Sequence, residues 1–245
     1  MDSLNLPSEL SHASPTFAVV DFETTGSSMS QGARATEIGI VLVRDGRIVD
    51  RYSNLMRSGA WIPPYIEQLT GISNAMLTSA PPAEQVMREA SEFARGCAMV
   101  AHNASFDRVF WRVERRLAGC EVDATDDPDR FACTVLLSRR LYPEAPNHKL
   151  GTLTEYFALP TDGPAHRALA DAEVTAHLLI RMLRDIEQRF AAELGEHPIG
   201  PEVLLALQRG GKGTKGALQS QHLSRLVLSG IAAQRSTSAQ QVGVS

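Results

Sequence analysis

The strongest constraint on the fold is a pair of β-rich segments that meet at a two-residue turn. The segments cover residues 36–44 and 47–55, and Asp45-Gly46 lies between them. An Asp-Gly pair in this position is a strong hairpin signal, because type I′ turns need two residues that tolerate a positive φ. The chain is therefore predicted to contain an antiparallel hairpin that forms part of a larger sheet.

Short apolar runs and helical patterns surround this hairpin. Residues 16–21, 97–101 and 131–134 predict buried strands, and helical patterns cover residues 83–95, 103–117, 135–141, 150–157 and 167–190. A hairpin followed by alternating strands and helices predicts an α/β sheet covered by helices. We expect this domain to span residues 15–190, with residues 1–14 as an N-terminal extension.

Residues 191–245 differ from the preceding domain in composition. Residues 195–200 contain two glycines and a proline, and residues 208–216 are rich in glycine and lysine, which predicts a linker and tail. Leu223, Leu226, Val227 and Ile231 recur at helical spacing and predict a short apolar helix over residues 220–233. Docking on a partner and folding back onto the domain remain equal alternatives for this apolar stripe.

Composition narrows the class of protein. The hydrophobic content of 43% is enough for a packed core, and the net charge of −4 argues against tight binding to long duplexes. Cys97, Cys120 and Cys133 lack a metal-binding spacing and predict reduced thiols. Residues 1–14 do not resemble a signal peptide, and no apolar run is long enough to span a bilayer. We expect a cytoplasmic protein without membrane contact.

Two carboxylates end the first predicted strand. Asp21 and Glu23 follow an apolar run and point the same way, because residues two apart on a strand share a face. Carboxylates beside a core are costly unless a cation or strong donors compensate them, and hard oxygen ligands suit Mg²⁺ or Mn²⁺. An Asp-x-Glu pair alone is more often a solvated strand end, so the metal hypothesis needs further residues.

Two later segments supply such residues, His102-Asn-Ala-Ser-Phe-Asp107 and His166-Arg-Ala-Leu-Ala-Asp171. On one helix His166 and Asp171 would lie about 140° apart. We therefore expect His166 in the loop before the helix and Asp171 in its first turns. Histidine exchanges protons near neutral pH, which makes His166 a candidate general base. The alternatives are a surface histidine and, for Asp107, a first-turn carboxylate that favours the helix dipole.

In this order the motifs resemble the DEDD superfamily of 3′–5′ exonucleases. The matching blocks are Asp21-x-Glu23, Asn103-x-x-Phe106-Asp107 and His166-x-Ala168-x-x-Asp171. A sibling branch carries tyrosine four residues before the last aspartate, where this chain has Arg167, so the histidine branch is indicated. The resemblance covers residues 16–184 and is greatest to the epsilon-type proofreading subunits of bacterial DNA polymerase III. Ribonuclease T and oligoribonuclease are similar to a lesser degree.

The resemblance implies a ribonuclease H-like fold with a mixed five-stranded sheet flanked by helices. It also implies two Mg²⁺ or Mn²⁺ ions. Asp21 would bridge both ions, Glu23 and Asp171 would hold the ion that activates water, and Asp107 would hold the second. His166 would complete this catalytic set.

The activity implied by the resemblance is metal-dependent removal of nucleoside 5′-monophosphates from single-stranded or frayed 3′ ends. DNA is favoured because residues 20–26 and 66–72 look most like the epsilon-type enzymes. A DNA polymerase subunit would then be a partner, reached through the C-terminal tail. An RNA-trimming enzyme of the ribonuclease T type and a non-catalytic recruitment module remain alternatives.

Five further residues are candidates for substrate contact. Thr24 and Thr25 follow the carboxylates and offer hydroxyl or backbone groups to the terminal nucleotide. Ile72 belongs to a segment that resembles the family loop whose apolar side chain packs on the terminal base. Phe106 would stack on a base or fill the core. His102 ends a predicted strand, and the next residue, Asn103, is predicted to be the N-cap of the following helix.

Overall fold

The structure, a computed structural model, describes residues 14–163, 165–210 and 217–242. Five strands in these residues form one sheet with the order β3-β2-β1-β4-β5, namely β1 (Phe17–Thr24), β2 (Ala35–Arg44), β3 (Arg47–Leu55), β4 (Ala98–Ala101) and β5 (Ala132–Cys133). β1 pairs antiparallel with β2 and parallel with β4. The predicted mixed five-stranded sheet is confirmed.

The predicted hairpin joins β2 to β3. Asp45 and Gly46 have φ values of 52° and 68°, as a type I′ turn requires of both central residues. Its position matters for the rest of the fold because β2 contacts both β1 and a long helix that crosses the sheet.

The helices in the described residues are α1 (Pro64–Thr70), α2 (Asn74–Ser79), α3 (Ala83–Phe93), α4 (Asp107–Leu117), α5 (Thr134–Leu141), α6 (Leu150–Phe157), α7 (Ala168–Arg189), α8 (Ala191–Leu194), α9 (Pro201–Arg209) and α10 (Ala217–Val242). Helices α1, α2, α8 and α9 were not predicted. The predicted N-cap at Asn103 is wrong, because α4 begins four residues later. Asn103 has a φ of 67° and lies in the turn between β4 and α4.

Side-chain alternation along β1 divides the core into two parts. Phe17 and Val19 belong to the cluster that contains the α7 side chains, whereas Ala18, Val20 and Phe22 pack with α3 and α4. The side chains that continue the α7 face of β1 are two carboxylates rather than apolar groups. The polar end of β1 therefore lies beneath the beginning of α7.

The C-terminal helices pack against the domain instead of forming a linker and tail. Val203, Leu204 and Leu207 of α9 lie in the same core cluster as α7, and so does the apolar stripe of α10, formed by Leu223, Val227 and Ile231. The apolar stripe predicted on residues 220–233 thus finds its partner within this chain. The predicted extension at residues 1–14 lies outside the described residues except for Ser14.

A single side chain of α9 hydrogen-bonds the outer edge of the sheet. Gln208 Oε1 accepts from the Cys133 amide at 2.7 Å, and Gln208 Nε2 donates to the Phe131 carbonyl at 3.1 Å. The amide side chain thus takes the place that a further strand would occupy beside β5. None of the helices in the described residues has the length and apolar character needed to cross a bilayer.

Candidate active site

Three different elements bring the predicted acidic residues together. Asp21 and Glu23 come from β1, Asp107 begins α4, and Asp171 lies in the first turn of α7. Ligand atoms of Glu23, His166 and Asp171 all lie within 4.8 Å of one another. Residues separated by almost 150 positions in the sequence thus form one polar cluster at the end of the central strand.

Asp107 reaches this cluster through the end of a strand pairing. The β1–β4 pairing ends at Val19 and Val100, so the later amides on this side of β1 have no strand partner. The Phe22 amide donates to Asp107 Oδ1 at 3.2 Å, and the aspartate is buried. Because this bond fixes one carboxylate oxygen against β1, the N-terminus of α4 is held beside Asp21.

His166 lies in the loop before α7, as its distance from Asp171 in the sequence predicts. Its φ is 62°, and its amide donates to Asp171 Oδ2 at 3.2 Å. The side chain is exposed, while Asp171 is half-buried. The backbone turn therefore orients the imidazole and the carboxylate toward the same cluster.

Burial raises the pKa values of the four carboxylates, and repulsion from neighbouring carboxylates adds to the effect at Asp21, Glu23 and Asp107. Burial, followed by repulsion from Asp107 and Asp171, holds the pKa of Asp21 well above its usual range. Burial and repulsion from Asp171 raise the pKa of Glu23 to about 7. Burial is also the largest cause of the raised pKa of Asp107 and of Asp171. These carboxylates are thus poorly compensated without a positive charge among them.

This donor set fits a divalent cation. The cluster offers hard carboxylate oxygens, which Mg²⁺ and Mn²⁺ prefer, and its mutual repulsion is relieved when a cation binds. Asp21, Glu23, Asp107 and Asp171 are the residues that would hold it.

We expect the metal-free protein to lose thermal stability as the pH rises. Groups whose folded pKa is raised contribute stability that is fully present below their unfolded pKa of about 4 and is lost as the pH rises through the folded value. For Glu23 that folded value is about 7. Melting temperatures measured with and without Mg²⁺ should differ more at about pH 8 than at about pH 6, because protons compete with the cation. An equal Mg²⁺ effect at both pH values would contradict the carboxylate site.

The hydroxyl groups of both threonines near the cluster form hydrogen bonds with other residues of the protein. Thr24 Oγ1 donates to the Gly26 carbonyl at 2.7 Å, and Thr25 Oγ1 accepts from the Arg34 amide at 3.0 Å. Both side chains are buried. They stabilise the connection between β1 and β2, and the prediction that they contact a nucleotide stays a prediction.

Two other candidates for substrate contact, Ile72 and His102, have structural partners within the protein. Ile72 is 0% exposed and packs with Ile62 and Leu77 in a small separate cluster, so the proposed packing of its side chain on a base does not agree with its burial. His102 Nδ1 lies 2.8 Å from Thr134 Oγ1. Burial lowers the pKa of His102 to about 4, so this imidazole is neutral at physiological pH.

Phe106, which directly precedes Asp107 in the chain, lines a groove. Its ring packs on Phe110 with centroids 4.8 Å apart, and it remains half-buried. The groove has a volume of about 430 Å³ and is also lined by Ser28, Met29 and Asn103. Phe106 is therefore partly in the core and partly available to a planar ligand.

Sequence reasoning missed one carboxylate of this region, Glu37 on β2. It lies directly opposite Glu23 in the β1–β2 register, and Arg167 Nη2 donates to it at 2.6 Å. The segment Thr36-Glu-Ile-Gly39 looks like ordinary strand sequence. The alternation of β2 was the signal that could have found it, since Glu37 shares a face with buried Val41 and Val43.

Comparison with known proteins agrees with this arrangement. The RNase_T family model, described as "Exonuclease", matches residues 18–179. The chain belongs to this exonuclease family. The predicted likeness to DEDD exonucleases of the histidine branch is thereby confirmed.

Relatives of this exonuclease domain include much longer proteins. The 3′-5′ exonuclease DinG of Bacillus subtilis (strain 168) is 38% identical over 172 residues, which are 70% of this chain and 18% of DinG. The PolC-type DNA polymerase III of Caldanaerobacter subterraneus subsp. tengcongensis is 37% identical, again over 70% of this chain but 12% of the polymerase. The chain thus spans less than a fifth of the length of these two relatives.

A solved structure matches over most of its own length. Exonuclease X, in complex with 5′ overhanging duplex DNA, is 30% identical and has a TM-score of 0.53. The match covers 69% of this chain and 91% of exonuclease X. The exonuclease domain described here is therefore similar to a nearly complete exonuclease chain and not only to parts of larger proteins.

Proposed function

We propose that this protein is a metal-dependent 3′–5′ exonuclease that hydrolyses single-stranded or frayed DNA 3′ ends to nucleoside 5′-monophosphates. The observation that carries the proposal is the convergence of four carboxylates and one histidine at the end of β1. A scaffold or recruitment module has no need to hold four mutually repelling carboxylates together. The non-catalytic alternative is therefore disfavoured.

Each residue of the cluster has a role in this proposal. Asp21, Glu23, Asp107 and Asp171 hold two divalent ions, which when bound supply charge stabilisation at the attacking and leaving oxygens of the phosphodiester. His166 accepts the proton of the attacking water at its imidazole. Exposure of the ring suits this role, because the proton can then pass to solvent.

DNA is the favoured substrate because the relatives named above are a DinG exonuclease, a DNA polymerase and an exonuclease in complex with DNA. The groove lined by Phe106, the residue before Asp107, offers space for a base. The ribonuclease T-like alternative depends on contacts to a 2′-hydroxyl. An assay on both nucleic acids distinguishes them.

Proofreading or repair follows from the same likeness, with a DNA polymerase subunit as partner. The apolar stripe of α10 is covered by α9 and is not available for docking. A polymerase would therefore have to bind another surface. A cytoplasmic location stays a prediction.

Matched DNA and RNA oligomers test the proposal. Each is labelled at its 5′ end in one sample and at its 3′ end in another, and is incubated with the protein and Mg²⁺ or Mn²⁺. A 5′-labelled DNA strand should shorten in single steps, while a 3′-labelled strand should release its label at once as a mononucleotide. Faster shortening of RNA than of DNA would mean that RNA is the preferred substrate. Internal cleavage would contradict an exonuclease.

Replacement of His166 by alanine should lower turnover by about 10²–10⁴-fold, the usual contribution of a general base. Mn²⁺ binding measured by calorimetry should remain close to wild type. His177→Ala, which changes a half-buried histidine further along α7, is the control and should retain activity. If the Mn²⁺ affinity of His166→Ala collapses, His166 is a ligand and not the base.

A further inference from the structure

The beginning of α7 is attached to β2 by a buried carboxylate. Glu37 is 3% exposed. It accepts from Arg167 Nε at 3.0 Å, from Arg167 Nη2 at 2.6 Å and from the Ala168 amide at 3.0 Å. Its oxygens are thus used by a two-point guanidinium contact and by the first amide of the helix.

The location of Glu37 makes its burial costly. It faces Glu23 across the β1–β2 pair, and its charge contributes to the raised pKa values of Asp21 and Glu23. A buried carboxylate next to other carboxylates is unfavourable unless a partner compensates it. Arg167 is that partner, and its charge also acts to lower the pKa of Glu23.

A close backbone approach completes the attachment. Gly39 pairs with Asp21 in the sheet, and a Cβ atom placed on Gly39 would lie 2.4 Å from the carbonyl carbon of Ala168. Only glycine leaves room for the helix backbone at this distance. The first residue of α7 therefore rests directly on the strand that pairs with the two β1 carboxylates.

The attached segment carries two residues of the proposed active site. Arg167 directly follows His166 in the chain. It also precedes the first turn of α7, which contains Asp171. The His166 backbone adopts a positive φ that non-glycine residues rarely take. Such a conformation persists when its surroundings hold it, and the Glu37–Arg167 pair lies one residue away.

We propose that Glu37 and Arg167 are positioning residues that hold His166 in register with the carboxylates Asp21, Glu23 and Asp171. This inference deepens the proposed function and rests on it. Glu37 acts through Arg167 and the helix backbone and is not itself a metal ligand. Loss of either partner should release the His166 loop while the core of the domain remains folded.

The chain offers a matched control for this arrangement. Glu114 is also buried, and it accepts from Arg34 Nε at 2.8 Å, Arg34 Nη2 at 2.9 Å and the Ala35 amide at 3.1 Å. Glu114→Gln removes the same kind of charge from the same kind of contact. A purely structural loss should be similar in Glu37→Gln and Glu114→Gln.

Activity measurements below the melting temperature give the first test. Glu37→Gln and Arg167→Ala should lower kcat by about 10- to 100-fold, typical of residues that orient catalytic groups, with little change in KM. Glu114→Gln should keep kcat near wild type. In a His166→Ala background, Glu37→Gln should cost much less than it does alone, because both changes act through the same imidazole. Equal losses in both backgrounds would overturn the proposal.

Two measurements without substrate separate this inference from the proposed function. The imidazole NMR signal of His166, assigned by its absence in His166→Ala, should shift and broaden in Glu37→Gln but not in Glu114→Gln. Mn²⁺ binding followed by calorimetry should persist in Glu37→Gln, and its disappearance would make Glu37 a ligand instead. If the wild-type protein does not hydrolyse nucleic acid, the proposed function fails, whereas the NMR signal still decides whether Glu37 positions His166.

Discussion

Asp21→Asn is expected to abolish hydrolysis and at the same time to stabilise the metal-free fold. Asp21 lies at the centre of the repelling carboxylates, and burial with neighbouring negative charges raises its pKa. Loss of this proposed metal ligand would remove several kcal/mol of transition-state stabilisation, or about 10³-fold in rate. Asparagine has nearly the same shape but does not ionise, so the variant no longer has to bury this negative charge.

Three measurements on Asp21→Asn check this expectation. Oligomer shortening should fall to background, Mn²⁺ binding by calorimetry should weaken strongly, and the metal-free melting temperature should exceed that of wild type, most clearly at high pH. Asp50→Asn, a change at an exposed aspartate of β3, is the control and should alter none of them. Normal activity in Asp21→Asn would exclude the metal site, and a lower melting temperature would contradict the repulsion argument.

The parts of the fold that local sequence determines were predicted well. The Asp45–Gly46 hairpin and the bounds of α6 agree with the structure, because turn chemistry and helical periodicity act over a few residues. The loop position of His166 followed from helix geometry. These features need no knowledge of what lies across the sheet.

The missed features depend on contacts between distant residues. Glu37 becomes important because the register places it opposite Glu23 and beneath Arg167, which are 14 and 130 positions away. The burial of Ile72 was missed for a different reason, because the helices α1 and α2, which enclose it with nearby Ile62 and Leu77, were not predicted. A single sequence carries no record of the distant partners of Glu37, so periodicity alone does not reveal them.

The C-terminal region shows the same difficulty with an apolar stripe. Leu223, Val227 and Ile231 are recognisable from helical spacing, but spacing does not say which surface covers them. The cover is α9, whose Val203, Leu204 and Leu207 also follow a helical period. The glycines on either side of α9 favoured a linker, although Gly200-Pro201 is also a normal helix start, with proline in the first turn.

Truncation after Gly195 should therefore strongly destabilise the domain. It removes α9 and α10, whose buried side chains share a core with α7, and it leaves the Cys133 amide and the Phe131 carbonyl without Gln208. Each buried aliphatic side chain contributes roughly 1.5–3 kcal/mol. Loss of several of them equals a large part of the 5–15 kcal/mol by which a domain of ordinary stability is folded.

The truncated chain should be poorly soluble or melt far below wild type, and its exonuclease activity should fall with the folded fraction. Circular dichroism melting and limited proteolysis measure the first effect, and oligomer shortening measures the second. Truncation after Thr237 is the matched control, because it keeps Leu223, Val227 and Ile231 and should leave the melting temperature nearly unchanged. Wild-type stability and activity after removal of residues 196–245 would mean that α9 and α10 are a tether rather than part of the core, because the catalytic carboxylates would then be held in place without them.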